Sequence, residues 1–299
     1  MKLDAKVENV IASNGWLASR LLVVDTPEQA LQLYESAERI PQSETRAFVE
    51  RQSDIKINGP IPIAGAQTAI FLYAFEKGVP KVLKIPSHAE KASSECKLYL
   101  DLVERGLVKD FRLVPVKPLK LSGDYTSHRS PMKKLSHGIL MPAYVCTFQE
   151  IPKPIDYDHA LRTAKQFGEI IKCINTSGWV HGDLKPSNIF VDATGELWLG
   201  DYGSSMELSS ISMFTGGTPL FQIEELQCMD HPYLFDIAGL LLSLLDRLDL
   251  IRLVQYNKLA TVQEAVSRIP DSEAVSKELK SLLSEWMVEI DTALRPEKL

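Results

Sequence analysis

The sequence predicts an α+β protein in which a small antiparallel β-sheet is followed by a larger helical part. One observation is a series of short β-rich runs between Ile55 and Ile85, which Gly and Pro interrupt as in an antiparallel meander. A second is the dominance of helical periodicity after residue 150. The third is a polar stretch, HGDLKPSNIF at residues 181–190, between two apolar segments. A polar loop that buried segments hold at both ends is a suitable place for a reaction.

Composition and charge exclude several classes of protein. The 299 residues are 45% hydrophobic and 24% charged, as in an ordinary globular protein. Lys plus Arg number 33 against 39 Asp plus Glu, a net charge of −6 without a basic stripe, so no nucleic-acid partner is expected. The four cysteines form no CxxC pair, which argues against a zinc site or a disulfide framework. The N-terminus lacks a signal-peptide pattern and no apolar run reaches the length of a membrane span, so we expect a cytoplasmic protein.

The chain divides into three predicted regions. Residues 1–53 are predicted to be an N-terminal helical extension, because TPEQALQLYESAERI has a capping Thr26, a Pro at the first helical position and helically spaced apolar residues. Residues 54–144 contain the β-rich runs and one helix, AEKASSECKLYLDLVERGL. Two more strands, FRLVPV and HGILMPAY, flank a polar stretch that is predicted to be a mobile loop. The extension either braces this region or recruits a partner.

Helices dominate the third predicted region, residues 145–299. DHALRTAKQFGEIIKCINTSG places its apolar residues on one stripe and ends at Gly178, just before the polar loop. IFVDATGELWLGDYG has two apolar runs joined by Asp-Ala-Thr-Gly, which indicates a hairpin. LFDIAGLLLSLLDRL is apolar nearly all round, which is typical of a helix buried on all sides.

The polar loop carries the residue types that phosphoryl transfer requires. A carboxylate must accept the proton of the attacking hydroxyl, and oxygen ligands must hold the magnesium ion that bridges the nucleotide phosphates. Asp183 and Asn188 are of the right types. The hairpin returns the chain to Asp201, where a second carboxylate would meet the same metal, and Gly203 is expected to let the backbone turn there.

These motifs resemble those of the eukaryotic-type protein kinases. HGDLKPSN, residues 181–188, is similar to the family's His-Arg-Asp-Leu-Lys-Pro-x-Asn, and Asp-Tyr-Gly at residues 201–203 to its Asp-Phe-Gly. The resemblance implies a two-lobed kinase fold in which Asp183 is the catalytic base and Lys185 steadies the transferred phosphate. It also implies that Asn188 and Asp201 are ligands of Mg²⁺.

Further motifs extend the resemblance towards the C-terminus. GTPLFQIEEL is similar to Gly-Thr-Pro-x-Tyr-x-Ala-Pro-Glu, which implies structural roles for Thr218, for Phe221 in the Tyr place and for Glu225 as the terminal acid. In LFDIAGLLL, Asp236 takes the place of the acid that ties the catalytic loop to a buried helix. DTALRP resembles the segment whose Arg pairs with the terminal acid, so Arg295 is expected to meet Glu225.

The β-rich region matches the family less closely. VLKIP resembles Val-Ala-Ile-Lys, which implies that Lys84 reaches the ATP phosphates and Val82 lies under the adenine. Its glutamate partner on the following helix is expected to be Glu95, with Glu90 and Glu104 as alternatives. Counting back, the glycine-rich loop falls on Ile63, Gly65, Thr68 and Ile70, where only the middle glycine is kept. The remaining ATP-binding residues would be the segment that links the lobes, Met141, Pro142, Ala143 and Tyr144.

The resemblance implies a Ser/Thr protein kinase that uses ATP and Mg²⁺ and acts on a protein substrate. The combination of Lys185 and Thr218 favours Ser/Thr over Tyr as the acceptor. Two alternatives stay open. Small-molecule kinases of the aminoglycoside phosphotransferase type share a His-Gly-Asp motif, which Gly182 matches, but lack the segment that contains Thr218 and Glu225. The degenerate glycine-rich loop is compatible with a nucleotide-binding pseudokinase that acts as an interaction module.

Overall fold

A computed structural model describes residues 45–49, 54–60, 69–86, 89–127, 130–134, 136–210, 217–226 and 233–295. The described chain divides into two compact units. The first contains the described residues up to 100 together with 114–146 and 192–195, and the second contains 101–113, 147–191 and the described residues from 196 onwards.

The first unit is built on an antiparallel sheet. Its strands are β1 (Thr45–Val49), β2 (Ile55–Pro60), β3 (Ala69–Glu76), β4 (Val79–Pro86), β5 (Lys117–Ser127), β6 (Ser130–Lys134) and β7 (His137–Pro142). Their order is β1-β5-β7-β4-β3-β2, and β6 pairs with β5. One apolar cluster lies on this sheet and consists of Ile55, Leu72, Ala74, Leu83, Ile85, Leu119, Leu121 and Leu140. The sheet confirms the predicted α+β class for this part of the chain.

The local sequence explains the hairpin between β3 and β4. Lys77 and Gly78 form its two-residue turn, with φ values of 53° and 81°. Two consecutive positive φ angles match the twist of the flanking strands, and glycine adopts such an angle without steric cost. Helix α1 (Ala89–Glu104) follows β4.

Three predictions about secondary structure are wrong. FRLVPV, residues 111–116, was predicted to be a strand but contains only an isolated bridge, from Leu113 to Leu199. Residues 45–49, predicted to be part of the helical extension, form β1, which pairs antiparallel with residues 121–125 of β5. The rest of the extension lies outside the described residues. The polar stretch after FRLVPV, predicted to be a mobile loop, largely forms the end of β5 and all of β6. Backbone pairing on β5 outweighs the low apolar content of these segments.

The predicted boundaries of the regions also differ from the observed units. Residues 101–113, assigned from the sequence to the region 54–144, belong to the second unit. Leu199 donates its backbone N–H to the Arg112 carbonyl at 2.9 Å, and the Arg112 guanidinium pairs with Glu196. Such contacts between distant parts of the chain cannot be read from local pattern.

Helices form most of the second unit. They are α2 (Tyr157–Thr176), α3 (Tyr233–Arg247), α4 (Leu259–Ser267) and α5 (Ala274–Leu294). Short strands accompany them, namely β8 (Cys146–Thr147), β9 (Trp179–Val180), β10 (Ile189–Val191), β11 (Leu197–Leu199) and β12 (Met206–Glu207). The predicted hairpin corresponds to the antiparallel pair β10 and β11.

Helices α2 and α3 have the predicted distribution of apolar residues. The Asp156 side chain caps α2 by accepting a hydrogen bond from the His159 N–H at 2.7 Å, and α2 buries one apolar stripe. The chain leaves α2 through Gly178, whose φ is 84°. Helix α3 is buried almost all round. Within the described ranges, no helix is both long enough and apolar enough to cross a bilayer.

Candidate active site

The polar loop is attached to α3 through Asp236. This carboxylate is fully buried and accepts hydrogen bonds from the backbone N–H groups of His181 and Gly182, each at 2.8 Å. Burial raises the pKa of Asp236, while His181 and the two backbone donors act in the opposite direction. Gly182 has a φ of 79°, so a glycine here avoids the strain that a side chain would cause. The structure therefore shows the link between loop and helix that the resemblance implied.

His181 is a buried structural residue. Its Nε2 lies 3.1 Å from the Gly200 carbonyl oxygen, and because a carbonyl can only accept, Nε2 is the donor. Its ring also packs edge-on against Tyr202, with centroids 5.9 Å apart. His181 thus joins the polar loop to the segment that leads into Asp201.

Asp183 belongs to a cluster of three polar side chains. Lys185 Nζ donates to Asp183 Oδ2 at 2.6 Å, and the Thr218 hydroxyl donates to Asp183 Oδ1 at 2.8 Å. Lys185 Nζ also donates to Thr218 Oγ1 at 2.7 Å. The three groups form a closed triangle in which both carboxylate oxygens have a donor. This arrangement holds the orientation of the Asp183 carboxylate.

Asn188 is oriented by its amide nitrogen. Nδ2 donates to the Asp183 backbone oxygen at 2.8 Å and lies 3.2 Å from Asp183 Oδ2. Gly200 donates its backbone N–H to the Asn188 carbonyl at 3.0 Å, so the residue before Asp201 is held next to Asn188. With Nδ2 used in this way, Oδ1 is the end of the carboxamide that remains for a metal ion.

The backbone turns at residues 201–204. Asp201 has φ 60° and ψ 70°, in the left-handed region that non-glycine residues rarely adopt. Gly203 lies inside the 3₁₀ turn Tyr202–Ser204 that follows, as expected for a residue that lets the chain turn here. The Tyr202 side chain is buried and donates its hydroxyl to the Leu199 carbonyl at 2.9 Å. This bond gives the phenolic oxygen a partner and anchors the turn.

In the first unit, Lys84 on β4 forms an ion pair with Glu95 on α1. Both side chains are buried, and the ammonium donates to Glu95 Oε1. Glu95, the partner expected from the sequence, therefore contacts Lys84. Glu104 is exposed at the end of α1, and the side chain of Glu90 lies outside the described parts. The neighbouring thiol of Cys96 has its pKa raised to about 12, mainly by burial.

Strand register corrects one predicted nucleotide contact. Residues paired across two antiparallel strands share a face, and Ile70 pairs with Ile85, whereas Phe71 pairs with Lys84. Ile70 packs against the apolar cluster of the sheet. The Ile70 side chain therefore lies on the face of the sheet opposite Lys84. The half-buried Phe71 lies on the same face as Lys84. The prediction was wrong because counting along the chain, without the pairing of β3 with β4, shifted by one residue the assignment of side chains to the two faces of the sheet.

Of the other residues predicted to contact the nucleotide, those that the structure describes lie on β4, on β7 and just after β7. Val82 lies two residues before Lys84, on the same face of β4, and pairs with Met141 on β7. Pro142 ends β7, Ala143 and Tyr144 are half-buried, and burial is the main cause that raises the pKa of Tyr144. Ile63, Gly65 and Thr68, the other predicted positions of the glycine-rich loop, lie outside the described residues.

The predicted pair between Glu225 and Arg295 does not form. The Arg295 side chain is 77% exposed and contacts Asp291, one helical turn earlier, at 2.5 Å. The Glu225 carboxylate instead accepts the Leu259 backbone N–H, with oxygen distances of 3.1 and 3.2 Å. Leu259 begins α4, and the first N–H groups of a helix have no partner within the helix. The Glu225 carboxylate therefore satisfies one of these donors, the Leu259 N–H, and has a partner without an arginine.

Asn257, which was not predicted from the sequence, contacts the segment that contains Thr218. It stands alone in a stretch without periodicity, between α3 and α4. A single Asn before a helix signals only a local turn or cap.

Known proteins similar to this chain are protein kinases or have their fold. No protein-family model matches the chain. In sequence, it is 28% identical over 145 residues to the serine/threonine-protein kinase PEPKR2 of Arabidopsis thaliana, which covers 44% of this chain and 30% of that protein. It is 35% identical over 81 residues to a calcium/calmodulin-dependent protein kinase kinase of Caenorhabditis elegans, covering 25% of this chain and 15% of the relative. The chain thus aligns with less than a third of the length of these relatives.

Two solved structures are similar over most of the chain. The Cydia pomonella granulovirus kinase PK-1 matches with a TM-score of 0.58 and 15% identity, covering 80% of this chain and 90% of that protein. ROP2 from Toxoplasma gondii matches with a TM-score of 0.52 and 16% identity over 97% and 98% of the two chains. ROP2 is described as a virulence factor with a protein-kinase fold and no enzymatic activity. The two structures show that the chain has a protein-kinase-like fold, with an antiparallel β-sheet region and a helical region.

Proposed function

We propose that this protein transfers a phosphoryl group from ATP to Ser or Thr hydroxyls of a protein substrate. The observation that carries the proposal is the triangle of Asp183, Lys185 and Thr218, with distances of 2.6 to 2.8 Å. It places a carboxylate, an ammonium group and a hydroxyl within one hydrogen-bonded cluster. A carboxylate in such a cluster is suited to accept the proton of an incoming hydroxyl.

Each member of the triangle has a distinct role in this reaction. Asp183 accepts the proton of the substrate hydroxyl. Lys185 carries the positive charge that stabilises negative charge developing on the transferred group. Thr218 donates to Asp183 and accepts from Lys185, so it maintains the separation of the two charged groups. Asn188 donates to both the backbone and the side chain of Asp183 and thereby holds the loop in shape.

The residues present fit the Mg²⁺ and the nucleotide that the kinase fold implies. Asn188 Oδ1 and the Asp201 carboxylate are hard oxygen donors, which Mg²⁺ prefers, and Asn188 is already oriented through its nitrogen. When bound, the metal ion would neutralise charge on the nucleotide phosphates. In the first unit, Lys84 forms an ion pair with Glu95, and it is the cation that the kinase resemblance assigns to the nucleotide phosphates.

A second candidate function is that of a nucleotide-binding pseudokinase that acts through a partner. It is favoured by the similarity in fold to ROP2, which is described as having no enzymatic activity. The small-molecule kinase alternative is disfavoured. The segment with Thr218 that such enzymes lack is present here, and it contacts Asp183 directly.

The test is a radiolabelled phosphate transfer assay on a generic Ser/Thr substrate with ATP and Mg²⁺. Asp183→Asn and Asp201→Asn should each lower the rate roughly 100- to 10,000-fold, because each removes a charged group from the site. Asp158→Asn is the matched control, since Asp158 is an exposed residue on α2 that pairs with Arg162. Rates of both site variants that equal the parent rate would show that the assigned chemistry is wrong.

Two further measurements separate the alternatives. Phosphoamino-acid analysis should show phosphoserine or phosphothreonine, and exclusive phosphotyrosine would contradict the assignment based on Lys185 and Thr218. A thermal-shift experiment compares ATP with and without Mg²⁺. A clear nucleotide-dependent shift without any measurable transfer would favour the pseudokinase.

A further inference from the structure

Asn257, between α3 and α4, is one of the most extensively bonded buried polar residues in the second unit. It is 1% exposed. Its Nδ2 donates to the backbone oxygens of Leu220 at 2.8 Å and Gln222 at 3.2 Å, and its Oδ1 accepts the Val254 N–H at 3.2 Å. Its own backbone N–H donates to Gln222 O at 2.9 Å, and its carbonyl accepts the Glu224 N–H at 2.9 Å. These bonds of Asn257 to Leu220, Gln222, Glu224 and Val254 are called the Asn257 clasp below.

The clasp holds the same segment that brings Thr218 to Asp183. Residues 218–226 run from Thr218, which contacts the catalytic loop, to the part bonded by Asn257. The start of this segment fits tightly, because a Cβ on Gly217 would lie 2.7 Å from the Gly182 carbonyl oxygen and 2.7 Å from Gln222 Nε2. The segment is therefore held by the catalytic loop at one end and by the clasp at the other.

Only a short side chain with both a donor and an acceptor can form this clasp. An aspartate at position 257 would keep the acceptor for Val254 but would place negative charge against two carbonyl oxygens. An alanine would remove the side-chain donor of the Leu220 carbonyl and leave the Gln222 carbonyl with only the backbone N–H of residue 257. Glu225 adds a further attachment of the same segment, through the Leu259 N–H.

We propose that Asn257 is a positioning residue for phosphoryl transfer. The clasp, together with the hydrogen bond from the Leu259 N–H of α4 to Glu225, holds residues 218–226 so that Thr218 stays bonded to Asp183 and Lys185. The clasp thus replaces the ion pair between Glu225 and Arg295 that the kinase resemblance implied. The effect on catalysis rests on the proposed function, whereas the effect on the segment does not.

The first test measures hydrogen–deuterium exchange in Asn257→Ala, in the nearly isosteric Asn257→Asp and in the parent. Amides in residues 217–226 and 251–258 should exchange at least about tenfold faster in both variants, while peptides from α2 keep the parent rate. Asn175→Ala is the matched control, because it removes the hydrogen bond from Asn175 Nδ2 to the Ile171 carbonyl at 2.9 Å within α2. Unchanged exchange in residues 217–226, or an equal rise throughout the second unit, would overturn the proposal.

The second test measures phosphate transfer by the same proteins. Loss of positioning should lower kcat roughly 10- to 100-fold, with the KM for ATP within about twofold of the parent value. Faster exchange in residues 217–226 with an unchanged kcat would overturn the positioning role. If the parent transfers no phosphate at all, the proposed function fails, and the exchange experiment still decides whether the clasp holds the segment.

Discussion

Asp236→Asn tests how the polar loop is attached to α3. The carboxylate accepts two backbone N–H groups, from His181 and Gly182, each at 2.8 Å and in a fully buried site. Asparagine has nearly the same volume but only one acceptor oxygen, so one buried N–H would face an NH₂ group instead. Leaving one buried donor without an acceptor costs about 1 to 3 kcal/mol, which is the expected loss in the free energy of unfolding. The substitution creates no cavity, because asparagine and aspartate have nearly the same volume, so no further loss of free energy is expected.

The assay is urea denaturation followed by tryptophan fluorescence, with Trp179 immediately before the loop as one reporter. Asp246→Asn is the matched control on the same helix, since Asp246 pairs with Lys153 near the surface at 2.5 Å. That control should lose less than about 1 kcal/mol. If Asp236→Asn unfolds within about 0.5 kcal/mol of the parent at the same m-value, the two N–H groups do not depend on this carboxylate and the reasoning is refuted.

Two smaller predictions concern ion pairs at the surface. Arg295→Ala should change the free energy of unfolding by less than about 1 kcal/mol, because its contact with Asp291 is exposed; a loss of several kcal/mol in urea denaturation would point to a buried partner. Lys117, which donates to Glu76 at 2.9 Å, lowers the pKa of Glu76 below its ordinary value of 4.5. The stability from this pair is therefore complete at neutral pH and lost as the pH falls through the lowered pKa. Glu76→Gln should cost about 0.2 to 1 kcal/mol at pH 7 and nothing near pH 2, and a cost that persists at pH 2 would contradict the assignment.

Part of the polar loop was predictable from the sequence because some of its contacts are between near neighbours. Asp183 contacts Lys185 two residues later and Asn188 five residues later. A loop between two buried segments has few ways to arrange such near neighbours, so spacing indicated that they meet, while their roles were implied by the kinase resemblance. The burial of α3 was likewise visible in its composition, since a helix that is apolar on every side has no face for water.

Long-range partners could not be read in the same way. Position 104 lies roughly 180° around α1 from position 95, yet both are glutamates and only packing selects the one that meets Lys84. The alternation of β3 was placed one residue off because the pairing register depends on β4, and this exchanged Ile70 for Phe71.

Composition, periodicity and local motifs therefore sufficed for the α+β class and for the contacts between near neighbours within the polar loop, because both depend on short-range geometry and on which faces are apolar. The contacts that attach residues 218–226 to the rest of the second unit could not be predicted in this way. Glu225 meets a backbone N–H of α4 rather than Arg295, and Asn257 binds carbonyls more than thirty residues away. Every residue offers the same backbone groups, so no side-chain pattern records which of them a distant polar residue will satisfy; folding alone brings those groups within hydrogen-bonding distance.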